Sequence, residues 1–254
     1  MTDILLYLSC GLVAGGLGGY LGLGGGIVMV PYLTVVAGLD IATAVPVSVT
    51  AIVVNSFSAS NEYVKKGMVD FELVVLLSLL MVAGSITGSS LSHVVPPAIP
   101  QTILTLLLVY TAFSLLKSND KSKSGGLGNW HRRHLPAMLG LAGVTGILAG
   151  LVGIGGGVIL VPAMHLIMAV PLTTARGTSS FLIGFSSAAA SAVYLLNGDI
   201  DFHIAAPVIL GILIGGKLGG FFGTTAKPTV IKVMFLVVML YLAYKLTAPI
   251  IEAL

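Results

Sequence analysis

Long apolar runs separated by short polar turns recur along the chain, and within the runs apolar and polar residues do not alternate with a period of two. That pattern predicts helices of membrane-crossing length rather than the strands of a barrel. Three spans are predicted at 42–62, 70–91 and 98–117, divided by the basic turn Glu62-Tyr63-Val64-Lys65-Lys66-Gly67 and by the uncharged Pro96-Pro97 turn. Ahead of them, 3–20 and 25–38 are apolar but each is short for a full crossing. Gly22, Gly24, Gly25 and Gly26 lie between the two and would destabilise a continuous helix. Two half-helices joined by an irregular turn are therefore expected. A Lys-Ser-Gly segment at 118–135, carrying Lys121, Lys123, Trp130, Arg132 and Arg133, breaks the apolar pattern. Beyond it the same order returns, with half-helices near 136–151 and 156–170 and spans near 174–195, 203–222 and 229–247.

The return holds residue by residue at a constant offset of 131. Gly22-Leu23-Gly24-Gly25-Gly26 falls on Gly153-Ile154-Gly155-Gly156-Gly157, Val30-Pro31 on Val161-Pro162, and Thr43-Ala44 on Thr174-Ala175. Ser48 falls on Ser179, Tyr63 on Tyr194, and Asp70-Phe71 on Asp201-Phe202. The fold class expected is an all-α polytopic membrane protein of two homologous repeats, each a glycine-broken helix pair plus three transmembrane helices. Repeat 1 takes 1–117, a basic cytoplasmic linker 118–135, and repeat 2 136–254. Three ordinary spans plus a pair that enters and returns give an odd number of crossings, so the duplicated unit comes out inverted. With the linker inside, inversion puts Lys65, Lys66, Lys117, Arg176, Lys227 and Lys232 toward the cytoplasm and leaves Lys245 near the outside. A parallel duplication would move Arg176, Lys227 and Lys232 outward, a poorer fit to the positive-inside rule. Inverted repeats with broken helices recur among secondary transporters.

Composition sharpens the class. Apolar residues make up 56% of the chain, only 8% are charged, and mean hydropathy is +1.07, which leaves no room for a soluble domain. The net charge of +3 sits in short loops facing an anionic membrane surface and carries no argument for nucleic acid. Met1-Thr2-Asp3 lacks a basic n-region, so a retained helix is expected rather than a cleaved signal peptide. Cys10 is the only cysteine, which excludes an internal disulfide and a cysteine metal cluster. His93, His131, His134 and His203 lack metal-ligand spacing, so neither a metal nor a cofactor is expected.

The glycine turns are the strongest chemical signal. A half-helix starting near Gly25 or Gly156 would aim unpaired N–H groups and a positive dipole end at the middle of the membrane, which suits an anion. The competing reading is tight helix packing, the role assigned to Gly84, Gly88, Gly211, Gly215, Gly219 and Gly223 from their four-residue spacing. A dinucleotide fingerprint is excluded, because position 27 is isoleucine and no βαβ unit surrounds it. Arg176, in Thr173-Thr174-Ala175-Arg176-Gly177-Thr178-Ser179-Ser180, either holds an oxyanion or snorkels; its repeat mate is Val45. Ser48 and Ser179 are supported as ligand donors by the repeat, whereas many membrane-helix hydroxyls only bond back to their own helix. Lys217 reads as a snorkelling cation, His165 as either a proton relay or a hydrogen-bonded structural group, and Asp70 and Asp201 as helix caps. The candidate substrate-binding residues are Gly24, Gly25, Gly26, Ser48, Gly155, Gly156, Gly157, Arg176, Thr178 and Ser179, with His165 as the proton-coupling candidate.

On the glycine turns, the Val-Pro after each and the Thr174-Ala175-Arg176-Gly177-Thr178-Ser179 segment, the chain resembles the sulfite exporter TauE/SafE permease family over nearly its whole length. The resemblance implies a multi-pass transporter of the bacterial-type inner membrane that moves sulfite or an organosulfonate, energised by an ion gradient. The partners it implies are that small anion, membrane lipids and protons as the coupling ion; a homodimer is left open, and no nucleic acid is expected. The first repeat departs from the second, with Val45-Pro46-Val47-Ser48 against Arg176-Gly177-Thr178-Ser179, so only one half supplies a charge. The rival functions are a passive channel for small anions or neutral solutes, and an intramembrane enzyme. Against the enzyme stand the lack of Gly-x-Ser-x-Gly, of His-Glu-x-x-His and of paired intramembrane carboxylates.

Overall fold

A computed structural model describes residues 2–117 and 134–225. The linker residues Lys121, Lys123, Trp130, His131, Arg132 and Arg133, and the expected last span 229–247 with Lys227, Lys232 and Lys245 around it, lie outside the described residues. Within them the chain forms α1 (Thr2–Leu21), α2 (Gly26–Val35), α3 (Ile41–Lys65), α4 (Phe71–Leu91), α5 (Ala98–Lys117), α6 (Leu135–Val152), α7 (Gly157–Leu166), α8 (Leu172–Asn197) and α9 (Phe202–Thr225). No strand occurs among the described residues. Six of these helices, α1, α3, α4, α6, α8 and α9, are long and apolar enough to cross a membrane.

One expectation is corrected. The segments before each glycine turn were expected to be half-helices, yet α1 has 20 residues and α6 has 18. At 1.5 Å per residue these run about 30 and 27 Å, close to the hydrocarbon thickness. Only the second member of each pair is short, α2 and α7 having 10 residues each. α2 doubles back along α1, where Tyr32 Oη comes within 3.1 Å of Ser9 Oγ. Gly11, Gly15 and Gly19 seat α1 against α9, and Gly146 and Gly150 seat α6 against α4.

Those seats cross between the sequence repeats. α1 lies along α9, and α4 along α6. A Cβ at Gly215 or Gly219 would overlap the carbonyl oxygen of Leu12 or Gly16, and one at Gly84 or Gly88 would overlap that of Gly143 or Ile147. The two sets are the same contacts at the offset of 131, so the packing role read from the glycine spacing holds at these four positions. Without a hydrophobic force between lipid-immersed helices, such backbone approach is the main source of association. Gly88→Leu should therefore lower stability by about 3 kcal/mol, read as a fall in the thermal midpoint of the detergent-purified protein. An unchanged midpoint would mean that α4 does not meet α6 there.

Helix ends behave as their residues dictate. Asp70 caps α4 by accepting from Leu73 N at 3.2 Å, and Asp201 Oδ1 accepts from His203 N at 2.9 Å before α9. α3 and α8 run antiparallel: Gly177, in the first turns of α8, packs on Tyr63 near the end of α3, and Thr50 Oγ1 lies 2.9 Å from Ser191 Oγ. This places Arg176 at the end of the bundle that carries Lys65 and Lys66. Lys217, exposed on α9, lies toward that same end.

Candidate functional site

Both short helices begin on a glycine that no other residue would replace cheaply. Gly25 and Gly156 cap α2 and α7 with φ of 91° and 81°, preceded by Gly24 and Gly155 at 80° and 77°. This left-handed stretch costs an L side chain about 1–2 kcal/mol per residue. Neither start has a side-chain cap.

The two turns pack on each other in the interior. A Cβ at Gly157 would come within 2.7 Å of Gly22 O and of Leu23 Cα, and one at Gly26 would overlap Gly153 O and come within 2.9 Å of Ile154 Cα. Again these are the same contacts at the offset of 131. The consequence is electrostatic: two positive helix ends, each equivalent to roughly half a charge, start beside each other in the buried interior. Ile52 and Ile183, also mates at that offset, set their Cγ2 atoms against both Gly24 and Gly155 and close the centre between the turns.

Polar side chains ring this centre unequally. Ser48 Oγ donates to Gly153 O at 2.8 Å, and Asn55 Nδ2 donates to Gly24 O at 2.7 Å. Ser179, the mate of Ser48, is fully buried and its hydroxyl has no hydrogen-bond partner. Asn55 Oδ1, Ser56 Oγ and Thr145 Oγ1 are buried without partners as well. A buried polar atom left unpaired costs about 1–3 kcal/mol, so this concentration of them beside the turns marks a place suited to a polar ligand.

Arg176 stands beside the first turn. Its Cα would lie 2.7 Å from a Cβ on Gly22, its side chain is buried to 9% exposure, and its guanidinium sits 5.6 Å from the centroid of the Tyr20 ring. It pairs with no carboxylate among the described residues. Among the described residues this buried cation has the Tyr20 face and no carboxylate beside it, so it lacks the pairing that buried charges normally have. Ser179 follows it by three residues, on the same helix face.

The structure thus gathers Gly24, Gly25, Gly26, Gly155, Gly156, Gly157, Ser48 and Ser179, with Arg176 adjoining the first turn. Two candidates are directed elsewhere. Thr178 Oγ1 accepts from Asp70 N at 2.9 Å and ties α8 to the start of α4. His165 lies at the far end of α7 from Gly156, its Nδ1 within 2.8 Å of Val170 O. The sequence reading passed over Ile52 and Ile183, whose only signal was identity at the repeat offset. Nor does anything in the sequence show that the Asn55 amide reaches across to Gly24.

The model of the sulfite exporter TauE/SafE family matches residues 7–246. The chain belongs to the TauE/SafE family. It is similar to the probable membrane transporter protein YunE of Bacillus subtilis (strain 168), with 28% identity over 94% of this chain and 95% of that one. A probable membrane transporter protein of Xylella fastidiosa (strain 9a5c) is 25% identical over 88% of this chain and 86% of its own. Another, from Methanocaldococcus jannaschii, is 23% identical over 90% of each. No solved structure matches the chain. This TauE/SafE protein is a multi-pass membrane transporter and not an enzyme.

Proposed function

We propose that this TauE/SafE protein is a proton-coupled secondary transporter of sulfite or a related small sulfur-containing anion in the cytoplasmic membrane. The observation that carries the reading is the meeting of two uncapped helix starts, α2 and α7, at one buried point. Each start would place N–H donors and positive potential on an oxyanion held between them. Arg176 supplies a full charge and a planar fork matched to two anion oxygens, and Ser179 a free hydroxyl. Ser48, already committed to Gly153 O, positions the second turn. Ile52 and Ile183 fill the gap between the turns, as an occluded carrier requires and an open pore does not.

In this reading 1–117 and 136–254 are the two moving units, the 118–135 linker is cytoplasmic, and the antiparallel packing of α3 on α8 supports an inverted relation. Access alternates as one unit rocks against the other. His165, at the distal end of α7, is the relay candidate for the coupling proton.

Labelled sulfite uptake into liposomes carrying the purified protein tests the proposal. An imposed proton gradient should drive accumulation above equilibrium, and dissipating the gradient should abolish it. Uptake that only equilibrates would replace the carrier with a channel, and an absence of sulfite uptake in folded protein would move the substrate to organosulfonates.

A further inference from the structure

On the face opposite Lys65 and Lys66 lies a cavity of about 290 Å³. Its walls include Val45 and Pro46 at the start of α3, Leu151 at the end of α6, and Tyr194 at the end of α8; Ser92, His93 and Asp199 stand in the loops around it. Val45 and Leu151 are 4% and 7% exposed, so they form its floor. A Cβ on Gly153 would lie 3.2 Å from Val45 Cα, and the floor therefore rests on the second glycine turn.

At the offset of 131 this lining falls on the surroundings of Arg176. Val45 falls on Arg176, Pro46 on Gly177, Leu151 on Tyr20 and Tyr194 on Tyr63. Those four mates are themselves together: Tyr20 lies under the Arg176 guanidinium, and Gly177 packs on Tyr63. The tyrosines keep equivalent bonds, Tyr194 Oη donating to Gly150 O at 2.7 Å and Tyr63 Oη to Gly19 O at 3.2 Å. The cavity and the surroundings of Arg176 thus occupy equivalent places at opposite ends of α3, each against one glycine turn.

One feature of the cavity has no counterpart. His93 Nε2 meets Asp199 Oδ2 at 2.8 Å, with Asn197 Nδ2 at 3.4 Å from the same nitrogen. Both side chains are partly exposed, at 39% and 29%, so they stand at the mouth rather than the floor. His93 follows α4 in the first repeat and Asp199 follows α8 in the second, so the pair ties one half of the chain to the other across the opening. Their mates are Thr224 and Met68, a residue pair of different chemistry.

We propose that this cavity is the outer vestibule through which the small anion reaches the second glycine turn, and that the His93–Asp199 pair is the latch across its mouth. The inference rests on the alternating-access reading above and adds where one of the two openings lies and what holds it shut. Relative movement of the repeats must break this contact, whereas no salt-bridging side-chain pair between the repeats stands at the equivalent place by Arg176 among the described residues.

The test reads accessibility, independently of transport. Cys10 is the sole cysteine and is buried, so replacing it with alanine leaves a clean background. Val45→Cys then reports on the vestibule floor through its reaction with a membrane-impermeant maleimide, and Leu151→Cys serves as a second reporter in case one variant misfolds. Labelling from the outer side should be slow with the pair intact and faster by roughly 2- to 5-fold in His93→Ala or Asp199→Asn, the range of a partly exposed pair. The double variant should be no faster than either single one, and His93→Lys, which puts a hydrogen-bond donor against Asp199, should restore the slow rate. Unchanged rates in both single variants, single effects that multiply in the double variant, or labelling only from the cytoplasmic side would each overturn the latch. Labelling as expected in protein that moves no sulfite upholds the vestibule and overturns the substrate reading instead.

Discussion

Arg176→Ala should cut sulfite uptake by about 100-fold while the protein inserts and folds normally. A charge-assisted, two-point contact between guanidinium and oxyanion contributes about 3 kcal/mol, and each 1.4 kcal/mol is a factor of ten. Stability should survive, because the guanidinium is buried, pairs with no described carboxylate and is compensated only by the Tyr20 face. Deleting an uncompensated cation does not carry the penalty of breaking a buried pair. Arg176→Lys should fall between, losing roughly 10-fold, since an ammonium keeps the charge and gives up the fork. Initial uptake rates, normalised to correctly folded protein in the liposomes, separate the three. An alanine variant that transports at the wild-type rate would remove Arg176 from the site and leave it a topological anchor, the competing reading that its place beside Lys65 and Lys66 also permits.

The weight placed on Arg176 follows from an asymmetry that the repeat makes visible. Almost every contact at the two glycine turns has a twin: Gly26 with Gly157, Ile52 with Ile183, Tyr63 with Tyr194. Polar groups break that pairing. Ser48 is satisfied by Gly153 O and Ser179 by no described residue; Val45 lines an apolar floor where Arg176 places a cation; His93 and Asp199 form a hydrogen-bonded pair whose repeat mates are Thr224 and Met68. A symmetric scaffold with unequal polar decoration is what a carrier needs to bind an anion in the middle and still present two chemically different openings.

How much of this was legible beforehand depends on the range over which each signal acts. The glycine turns, the packing glycines and the Asp70 cap were readable because each is local: a run of glycine, a four-residue spacing, an aspartate before an apolar run. The helix order was readable from hydrophobic run lengths. The full lengths of α1 and α6 were not, because the apolar runs look short and helix propensity argues against glycine, and only the seats of Gly11, Gly15 and Gly19 against α9 and of Gly146 and Gly150 against α4 reverse the sign. Asn55 reaching Gly24 O, Thr178 turning to Asp70 N and His93 meeting Asp199 join residues 31, 108 and 106 positions apart. No periodicity within one helix encodes such contacts. The repeat offset was the one long-range signal available; it aligned Ile52 with Ile183, but identity alone did not show that the two side chains close the same gap.

Gly157→Ala should abolish transport, with a loss exceeding about 100-fold, and should destabilise the protein as well. The added methyl would sit 2.7 Å from Gly22 O, 2.7 Å from Leu23 Cα and 2.8 Å from Ile183 Cδ1, and two of these three neighbours are backbone that cannot rotate away. Forcing the turns apart costs about 1–3 kcal/mol as an overpacked core contact. It also moves the start of α7 off the point it shares with α2. A displacement of about 1 Å in a positioned site costs on the order of 100-fold in function, so activity should fall further than stability. Gly140→Ala is the control: it lies inside α6, a Cβ there meets nothing within 4 Å, and alanine favours helix over glycine by about 1 kcal/mol. That variant should transport normally and unfold at the same temperature or higher. Comparing uptake rate with thermal midpoint across the two separates a specific requirement for touching turns from a general intolerance of added bulk. If Gly157→Ala kept full transport, the close approach of the two helix starts would not be the anion site, and the glycines would serve packing alone.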